Sequence, residues 1–333
     1  MRRSTLAWVA LALALCLAAP GGWAAPYDAL VLGDSPYAYW RLGELAGTTA
    51  VNAAPSGPAL DGDYGRFVPG DRLPVLGAPG VPGSGMGGDT SVDFVPNSQV
   101  YVADPVHPTA YSLEAWVRPD PGATAGRGII VRTAGNPYTT WSHELRVDPN
   151  GKFEHYTFDG AARYVWSADA AQPGQWYHVV GTAANGGGMT LYVDGQEAAS
   201  WAGPVGTLWT GGNQWRLGAP SGNGTIHPGG IGFWDGQIDE VALYHHELTP
   251  QQVANHYNLG VSESPNAVDM SGTVYYAVGL GDTADRVVKG KWFEGDNDGD
   301  PAPVGYSVVA PNAWASGWGT LGVTEPNLAP ITD

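Results

Sequence analysis

The sequence predicts an all-β protein, built as a two-sheet antiparallel sandwich or jelly roll. Glycine and proline are abundant, with 49 and 27 residues, and they divide the chain into short segments. Within many segments apolar and polar residues alternate, which is the period of a half-buried strand. Helical periodicity is scarce, and the segments recur about every ten residues with turn signals between them, as in a sandwich.

The predicted strands follow one another along most of the chain. They cover residues 37–42, 64–68, 91–94, 99–102, 111–117, 128–133, 142–147, 152–158, 176–182, 188–193, 196–199, 213–217 and 236–244. Pro96 and Asn97 predict a hairpin between 91–94 and 99–102. Asp148-Pro-Asn-Gly151 predicts a type I turn, and Asp194-Gly195 predicts a two-residue hairpin turn of the primed type.

A short helix is predicted after the last strand. Thr249 is a suitable N-cap, Pro250 takes the first helical position, and Gln252 can close a capping box. Leu248 and Val253 can form a hydrophobic staple across the helix start. The predicted organisation is a signal peptide at 1–24, a β-sandwich domain at 25–260, a linker at 261–270 and a small β-rich C-terminal segment at 271–333, whose completeness the sequence leaves open.

The first 24 residues have the composition of a secretory signal. Arg2 and Arg3 form a basic start, residues 6–19 are apolar, and small residues precede the predicted cleavage after Ala24. The apolar run is shorter than the roughly 20 residues that a membrane span needs, and no other run is long enough. We therefore expect an exported protein, secreted or held at the cell surface, without membrane insertion.

The net charge argues against two classes of binding partner, and the cysteine content excludes disulfide bonds in the mature chain. The formal net charge is −17, and loss of a signal peptide whose only charges are basic leaves the mature chain more acidic. This argues against nucleic acid and anionic membrane surfaces as partners. The one cysteine, Cys16, lies in the signal peptide, so the mature chain relies on its core or on bound metal ions rather than on disulfides.

The last predicted strand carries two adjacent carboxylates, Asp239 and Glu240. A regular strand points successive side chains to opposite faces, so the two are expected to diverge and not to form a catalytic pair. Glu240 is expected to be structural. Asp239 is a candidate metal ligand.

Seven stretches occur in an order that is shared with a known family. They are Tyr37-Ala-Tyr-Trp-Arg-Leu-Gly-Glu44, Ser91-Val-Asp-Phe94, Tyr111-Ser-Leu-Glu-Ala-Trp-Val117, Gln175-Trp-Tyr-His-Val-Val-Gly-Thr182, Leu191-Tyr-Val-Asp-Gly195, Gly236-Gln-Ile-Asp-Glu-Val-Ala-Leu-Tyr244 and Leu248-Thr-Pro250. In this order they resemble bacterial proteins with a laminin-G-like (concanavalin A-like lectin/glucanase) jelly-roll domain, over residues 25–260. The resemblance implies a secreted or surface module that binds carbohydrate or protein, often with calcium at its rim.

Enzymatic activity is not expected from the pattern of acids. A glycosidase needs two carboxylates about 5 to 10 Å apart across a cleft, and glycosidases of similar fold carry them on alternate residues of one strand. No predicted strand shows that pattern, and Glu114 is the lone acid on its strand. No serine lies in a nucleophile-elbow context. His178, on a core strand, is expected to be a hydrogen-bonded interior histidine.

Calcium is the expected cofactor, because oxygen ligands from loop carboxylates suit it. Asp296, Asp298 and Asp300 match the first three ligand positions of a calcium loop. Pro301 and Ser307 depart from the EF-hand pattern, so a looser calcium turn and a solvated acidic turn both stay open. Asp239, with oxygens from neighbouring loops, is the candidate within the main domain.

Loop aromatics are the candidates for ligand binding, since sugar rings stack on exposed aromatic faces. The candidates are Tyr138, Trp141, Trp166, Trp209 and Trp234, with Trp201 a further loop tryptophan. We therefore expect a non-catalytic binding module for a carbohydrate or surface polymer. The alternatives are a structural or adhesive protein that contacts other surface proteins, and a glycan-processing enzyme.

Overall fold

The fold is a sandwich of two antiparallel sheets, each of eight strands. A computed structural model describes residues 26–65, 71–83, 86, 89–122, 126–134, 140–221, 232–261, 268–270 and 273–275. Within the described ranges, no helix has the length and apolarity that a membrane crossing requires. The all-β jelly-roll prediction is thus confirmed.

The strands are short and follow the glycine- and proline-rich turns. They are β1 (Ala38–Trp40), β2 (Thr49–Ala50), β3 (Gly62–Asp63), β4 (Val75–Pro79), β5 (Thr90–Phe94), β6 (Val100–Ala103), β7 (Ala110–Pro119), β8 (Arg127–Ala134), β9 (Thr140–Val147), β10 (Lys152–Phe158), β11 (Ala162–Ala170), β12 (Tyr177–Ala184), β13 (Met189–Val193), β14 (Gln196–Trp201), β15 (Gln214–Leu217), β16 (Gly236–Tyr244), β17 (Val268–Met270) and β18 (Thr273–Tyr275). The helices are α1 (Pro26–Gly33) and α2 (Pro250–Val261), with a 3₁₀ turn at Gly57–Leu60.

The order of strands defines two outer faces. The first sheet runs β14-β13-β12-β7-β16-β5-β4, with β1 beside β16. The second sheet runs β11-β10-β9-β8-β15-β6-β3-β2, and β17 pairs with β18 separately. Apolar side chains from both sheets fill the core between them, among them Phe94, Leu113, Leu145, Phe153 and Trp215. Each sheet therefore keeps one face that points away from this core.

Two of the predicted turns form as expected. The β9–β10 turn is closed by Asp148, whose Oδ1 accepts hydrogen bonds from the backbone N–H groups of Asn150 and Lys152, both at 2.8 Å. The β13–β14 turn has φ values of +50° at Asp194 and +75° at Gly195, as a primed turn requires.

The predicted hairpin between 91–94 and 99–102 is wrong. β5 pairs with β16 in the first sheet, whereas β6 pairs with β15 in the second. Asn97 has a φ of +69°, and Ser98 Oγ accepts the backbone N–H of Val95 at 3.0 Å, so a tight turn does form. That turn carries the chain from one sheet to the other, since the inward residues of both strands, such as Phe94 and Val100, belong to the same core.

Several elements were missed by the sequence prediction, among them β2, β3 and β4, and the strand predicted at 64–68 is not found at residues 64–65, the part of it that the structure describes. The N-terminal helix α1 precedes β1, and β11 lies where the sequence predicts a loop around Trp166. The helix after β16 is confirmed, together with its capping box. Gln252 N donates to Thr249 Oγ1 at 3.2 Å, and Thr249 N donates to Gln252 Oε1 at 2.9 Å. Leu248 and Val253 are both buried in the cluster that α1 and α2 form on the outer face of the first sheet.

Candidate functional site

Asp239 and Glu240 do not point to opposite faces, which corrects the sequence prediction. A β-bulge interrupts the pairing of β16 with β7 between Asp239 and Ala242, and Glu240 takes a φ of +50°. The extra residue turns both carboxylates toward one buried charge cluster on the outer side of the sheet. Glu240 accepts hydrogen bonds from Tyr39 and Arg41, as a structural residue would.

Arg41 is the cation of this charge cluster. It lies 2.6 Å from Asp28 Oδ2 and 3.2 Å from Glu240 Oε1, and it also pairs with Asp89. Burial, and then the neighbouring Asp89 carboxylate, raises the pKa of Asp239 well above its ordinary value. Burial, and then the neighbouring Asp239 carboxylate, also raises the pKa of Glu240 well above its ordinary value.

Asp239 keeps one buried oxygen, Oδ1, without a hydrogen-bond partner among the described residues, and its role as a calcium ligand stays a prediction. Across the ranges that the structure covers, no group of three or more His, Cys, Asp or Glu residues is arranged to hold a metal. Asp239 Oδ2 accepts the backbone N–H of Val81 at 3.2 Å, and Arg41 supplies the local positive charge. Asp296, Asp298 and Asp300 lie outside the described residues.

A second carboxylate, Glu114, lies on the outer face of the first sheet and is surrounded by donors. Its Oε1 accepts from Tyr27 at 3.1 Å, from His178 Nε2 at 2.7 Å and from His256 Nδ1 at 2.8 Å. Its Oε2 accepts from Tyr244 at 2.9 Å. Burial opposes ionisation, but His256 and His178 hold the pKa of Glu114 below its ordinary value. The prediction that His178 is an interior, hydrogen-bonded histidine is confirmed.

A third group of carboxylates lies on the outer face of the second sheet. Arg146 NH1 donates to Glu144 Oε2 at 2.5 Å, and its NH2 donates to Glu154 Oε1 at 2.6 Å. Ser221 Oγ donates to Glu144 Oε2 at 2.7 Å. Glu144 Oε1 is buried with no hydrogen-bond partner among the described residues. Burial raises the pKa of Glu144 in spite of the adjacent guanidinium.

Aromatic side chains continue this face toward solvent. The rings of Tyr156 and Tyr164 are stacked with their centres 5.9 Å apart, and the ring centres of Tyr164 and Trp166 are 5.2 Å apart. Trp141 hydrogen-bonds the Tyr156 hydroxyl. Trp166 is 42% exposed. We call these four residues, Trp141, Tyr156, Tyr164 and Trp166, the aromatic strip.

The charged group and the aromatic strip are in direct contact. The Arg146 guanidinium lies 4.7 Å from the centre of the Tyr156 ring, a cation–π distance. In the β10 register, Glu154 stands opposite both Arg146 and Trp166, and Tyr156 stands opposite both Glu144 and Tyr164. The face therefore combines the exposed Trp166 and the half-buried Trp141 and Tyr164 with a buried layer of Tyr156, carboxylate and guanidinium groups.

The structure brings three of the five predicted ligand-binding residues to this region. Trp141 and Trp166 belong to the aromatic strip, and Trp209 packs against Phe158 at the end of β10 at 6.1 Å. Trp234 is corrected: it is 1% exposed, lies in the core and donates its Nε1 hydrogen to Gln237 O at 3.2 Å. A ring enclosed in this way has no face for a ligand. Tyr138 lies outside the described residues.

Glu144 and Glu154 were not predicted, because acids were sought along single strands. They meet across the β9–β10 hairpin instead. The sequence does carry a signal for this contact. Val147 and Phe153 are the apolar residues that flank the predicted turn, and pairing them fixes the register that sets Glu154 opposite Arg146.

Comparison with solved structures finds similar sandwiches at low identity. Domain 4 of AbnA, a GH43 extracellular arabinanase from Geobacillus stearothermophilus solved with arabinotriose, is 19% identical, with a TM-score of 0.51 over 67% of this chain and 98% of that one. Trypanosoma rangeli sialidase with sialic acid is 16% identical, with a TM-score of 0.49 over 69% of this chain and 33% of that one. The receptor-binding domain of botulinum neurotoxin D is 12% identical, with a TM-score of 0.46 over 68% of this chain and 53% of that one.

The family assignment comes from the sequence match. No curated protein matches the chain. The likeness to the arabinanase domain shows a shared fold. The Laminin_G_3 family model matches residues 87–254, which is half of the chain and includes Glu114, Glu144 and Glu154. The chain therefore belongs to the Laminin_G_3 family of the concanavalin A-like lectin/glucanase superfamily.

Proposed function

We propose that the outer face of the second sheet binds an oligosaccharide, and that the protein is a non-catalytic carbohydrate-binding module. The observation that carries the proposal is Trp166, which is 42% exposed and continuous with Tyr164 and Tyr156. Aromatic faces of this kind bind the apolar faces of sugar rings, while nearby polar groups select hydroxyls.

A glycosidase is the second candidate, because two carboxylates do meet on this face. A glycosidase needs one carboxyl to give a proton and another to attack or to activate water. Here Arg146 pairs with both Glu144 and Glu154, and both are fully shielded from solvent. We therefore favour binding over hydrolysis. Incubation of the protein with arabinan and other glycans should release no reducing ends, and release that is lost in Glu144→Gln would overturn the non-catalytic assignment.

The binding proposal is tested with a pair of exposed tryptophans. Trp166 and Trp201 are 42% and 39% exposed, but Trp201 lies on β14 of the first sheet, against Arg163. A glycan array identifies a ligand, and arabinotriose is the first soluble probe, since a domain of the same fold was solved with it. Trp166→Ala should weaken calorimetric affinity about tenfold, the loss of one stacking platform.

Trp201→Ala is the matched control and should bind as the unmodified protein does. Equal affinity of both variants would remove the aromatic strip as the site. Failure of the full chain to bind any glycan, with self-association in solution, would favour the structural or adhesive alternative.

A further inference from the structure

The outer face of the first sheet holds a cavity of about 510 Å³, whereas the aromatic strip lies on the second sheet. It lies between α2, β7, the β13–β14 turn and the segment that precedes β12. Its aromatic lining residues are Trp116, Trp176 and Tyr257. Its volume is in the range of sites that hold small molecules.

The wall of the cavity is a stack of π-systems. Trp116 and Tyr257 are nearly parallel, at 17° with ring centres 5.9 Å apart. The His178 ring lies against both, at 5.0 Å from Trp116 and 6.3 Å from Tyr257. Trp176 is partly exposed and packs at the edge of this group. Faces of tryptophan and tyrosine carry the negative quadrupole that attracts cations.

Asp194 adds a carboxylate to the same cavity. It is the only charged residue among the described lining residues. Its Oδ1 accepts the backbone N–H of His178 at 2.9 Å, which fixes the carboxylate at the cavity wall. Partial burial raises the pKa of Asp194, and after burial the Asp194 carboxylate is what raises the pKa of Tyr257. Asp194 and Tyr257 therefore lie close enough for their charges to influence each other.

The backbone holds these groups in place before any ligand arrives. Gly195, with a φ of +75°, has Tyr257 side-chain atoms 2.8 Å from where a Cβ would stand, so the turn and α2 are in close contact. On the opposite side, Gly83 approaches the carbonyl of Gly260 so closely that no side chain fits. Such preorganisation lowers the cost of binding.

We propose that this cavity binds a small organic cation, a protonated or quaternary amine, with its ammonium group between the Trp176 and Tyr257 rings and the Asp194 carboxylate. An aromatic wall beside a carboxylate is the arrangement that recognises ammonium groups. The His178 ring lies behind this wall, where its Nε2 bonds Glu114, and it is not a lining residue of the cavity. The site is on the opposite outer face from the glycan site and does not depend on it.

The test uses choline and its neutral carbon isostere, 3,3-dimethylbutan-1-ol, titrated calorimetrically into the full chain. Choline should bind with a dissociation constant of about 1 mM or lower, and the isostere at least about tenfold more weakly. Methylamine, tested alongside, separates a preference for quaternary amines from one for protonated amines. Equal binding of choline and the isostere, or no binding of either amine, overturns the proposal.

Asp194→Asn is the informative variant, because Asn-Gly is a favoured primed turn and the fold should be kept. It should lose choline affinity about tenfold while Trp166→Ala keeps it. Trp176→Ala should weaken choline binding too. Unchanged choline affinity in Asp194→Asn contradicts the assignment. Glycan affinity should be unchanged in Asp194→Asn, so failure of one proposal is distinguishable from failure of the other.

Discussion

Glu114 and Glu144 are equally buried, one on each outer face of the sandwich, yet their surroundings are opposite. Glu114 accepts hydrogen bonds from four side chains, and its pKa lies below the ordinary value. Glu144 keeps one oxygen without a partner among the described residues, and its pKa is raised. A fully satisfied buried charge serves the fold, whereas a buried oxygen without a partner costs stability.

The two faces also differ in what surrounds them. α1 and α2 cover the first face with apolar residues such as Val31 and Val253, and His256 of α2 bonds both Glu114 and Asp34. On the second face the charged group borders the aromatic strip, whose Trp166 reaches solvent. The first face therefore holds the helices on the sandwich, and the second is the proposed binding face.

The largest expected effect is loss of stability in Glu114→Gln. Glutamine would bring two donors to a position where Tyr27, His178, His256 and Tyr244 already donate, and the His256 ring would lose its nearest counter-charge. We expect the free energy of unfolding to fall by about 3–5 kcal/mol. Denaturant unfolding measures it, and a loss below about 1 kcal/mol would show that the cluster is not a stabilising one.

The next effect is a pH dependence from His256. Burial opposes its charge, but Glu114 and Asp34 raise the pKa of His256 to about 9. A histidine pKa raised in the folded state gives stability that is complete below about pH 6.5 and is lost as the pH rises through about 9. The difference in unfolding free energy between the unmodified protein and His256→Gln should therefore shrink between about pH 6 and pH 9.5. A difference that stays constant with pH would contradict this.

A smaller effect is expected from the helix cap that closes the first face. Thr249→Ala removes the acceptor of the Gln252 N–H and should cost about 1 kcal/mol. Thr207→Ala, an exposed threonine in a loop, is the control and should change the unfolding free energy by less than about 0.5 kcal/mol. Equal losses in both variants would show that the cap does not contribute.

The smallest expected effect concerns the calcium site proposed from the sequence at Asp296, Asp298 and Asp300. Calcium should raise the melting temperature of the unmodified chain, and a chelator should reverse the change. The variant with all three replaced by alanine should not respond. A response that persists in this variant would move the site elsewhere.

Local patterns predicted much of this fold, and long-range pairing explains what they missed. Thr249 with Gln252, and Asp194 with Gly195, are local signals, and both form as expected. The turn at Asn97 was also read correctly, but no local pattern shows that β5 and β6 separate into different sheets. The bulge at Glu240 reversed a prediction that assumed a regular strand.

In the candidate site, too, residue types could be predicted from the sequence, whereas the long-range pairing that joins them could not. Trp141 and Trp166 were singled out by residue type, but as loop residues, whereas they lie on β9 and β11. What joins them is the cross-strand register through Tyr156, which residue type alone does not give. Trp234 was misjudged because a tryptophan near a glycine-rich stretch can equally well turn into the core.

The most direct test of the contrast compares Glu114→Gln with Trp166→Ala in two measurements, the free energy of unfolding and the affinity for the oligosaccharide that the array identifies. We predict that Glu114→Gln loses stability and keeps affinity. Trp166 is 42% exposed, so Trp166→Ala should change stability by less than about 1 kcal/mol and should lose affinity. If Trp166→Ala is as destabilised as Glu114→Gln and binds the oligosaccharide normally, the two faces do not differ in role.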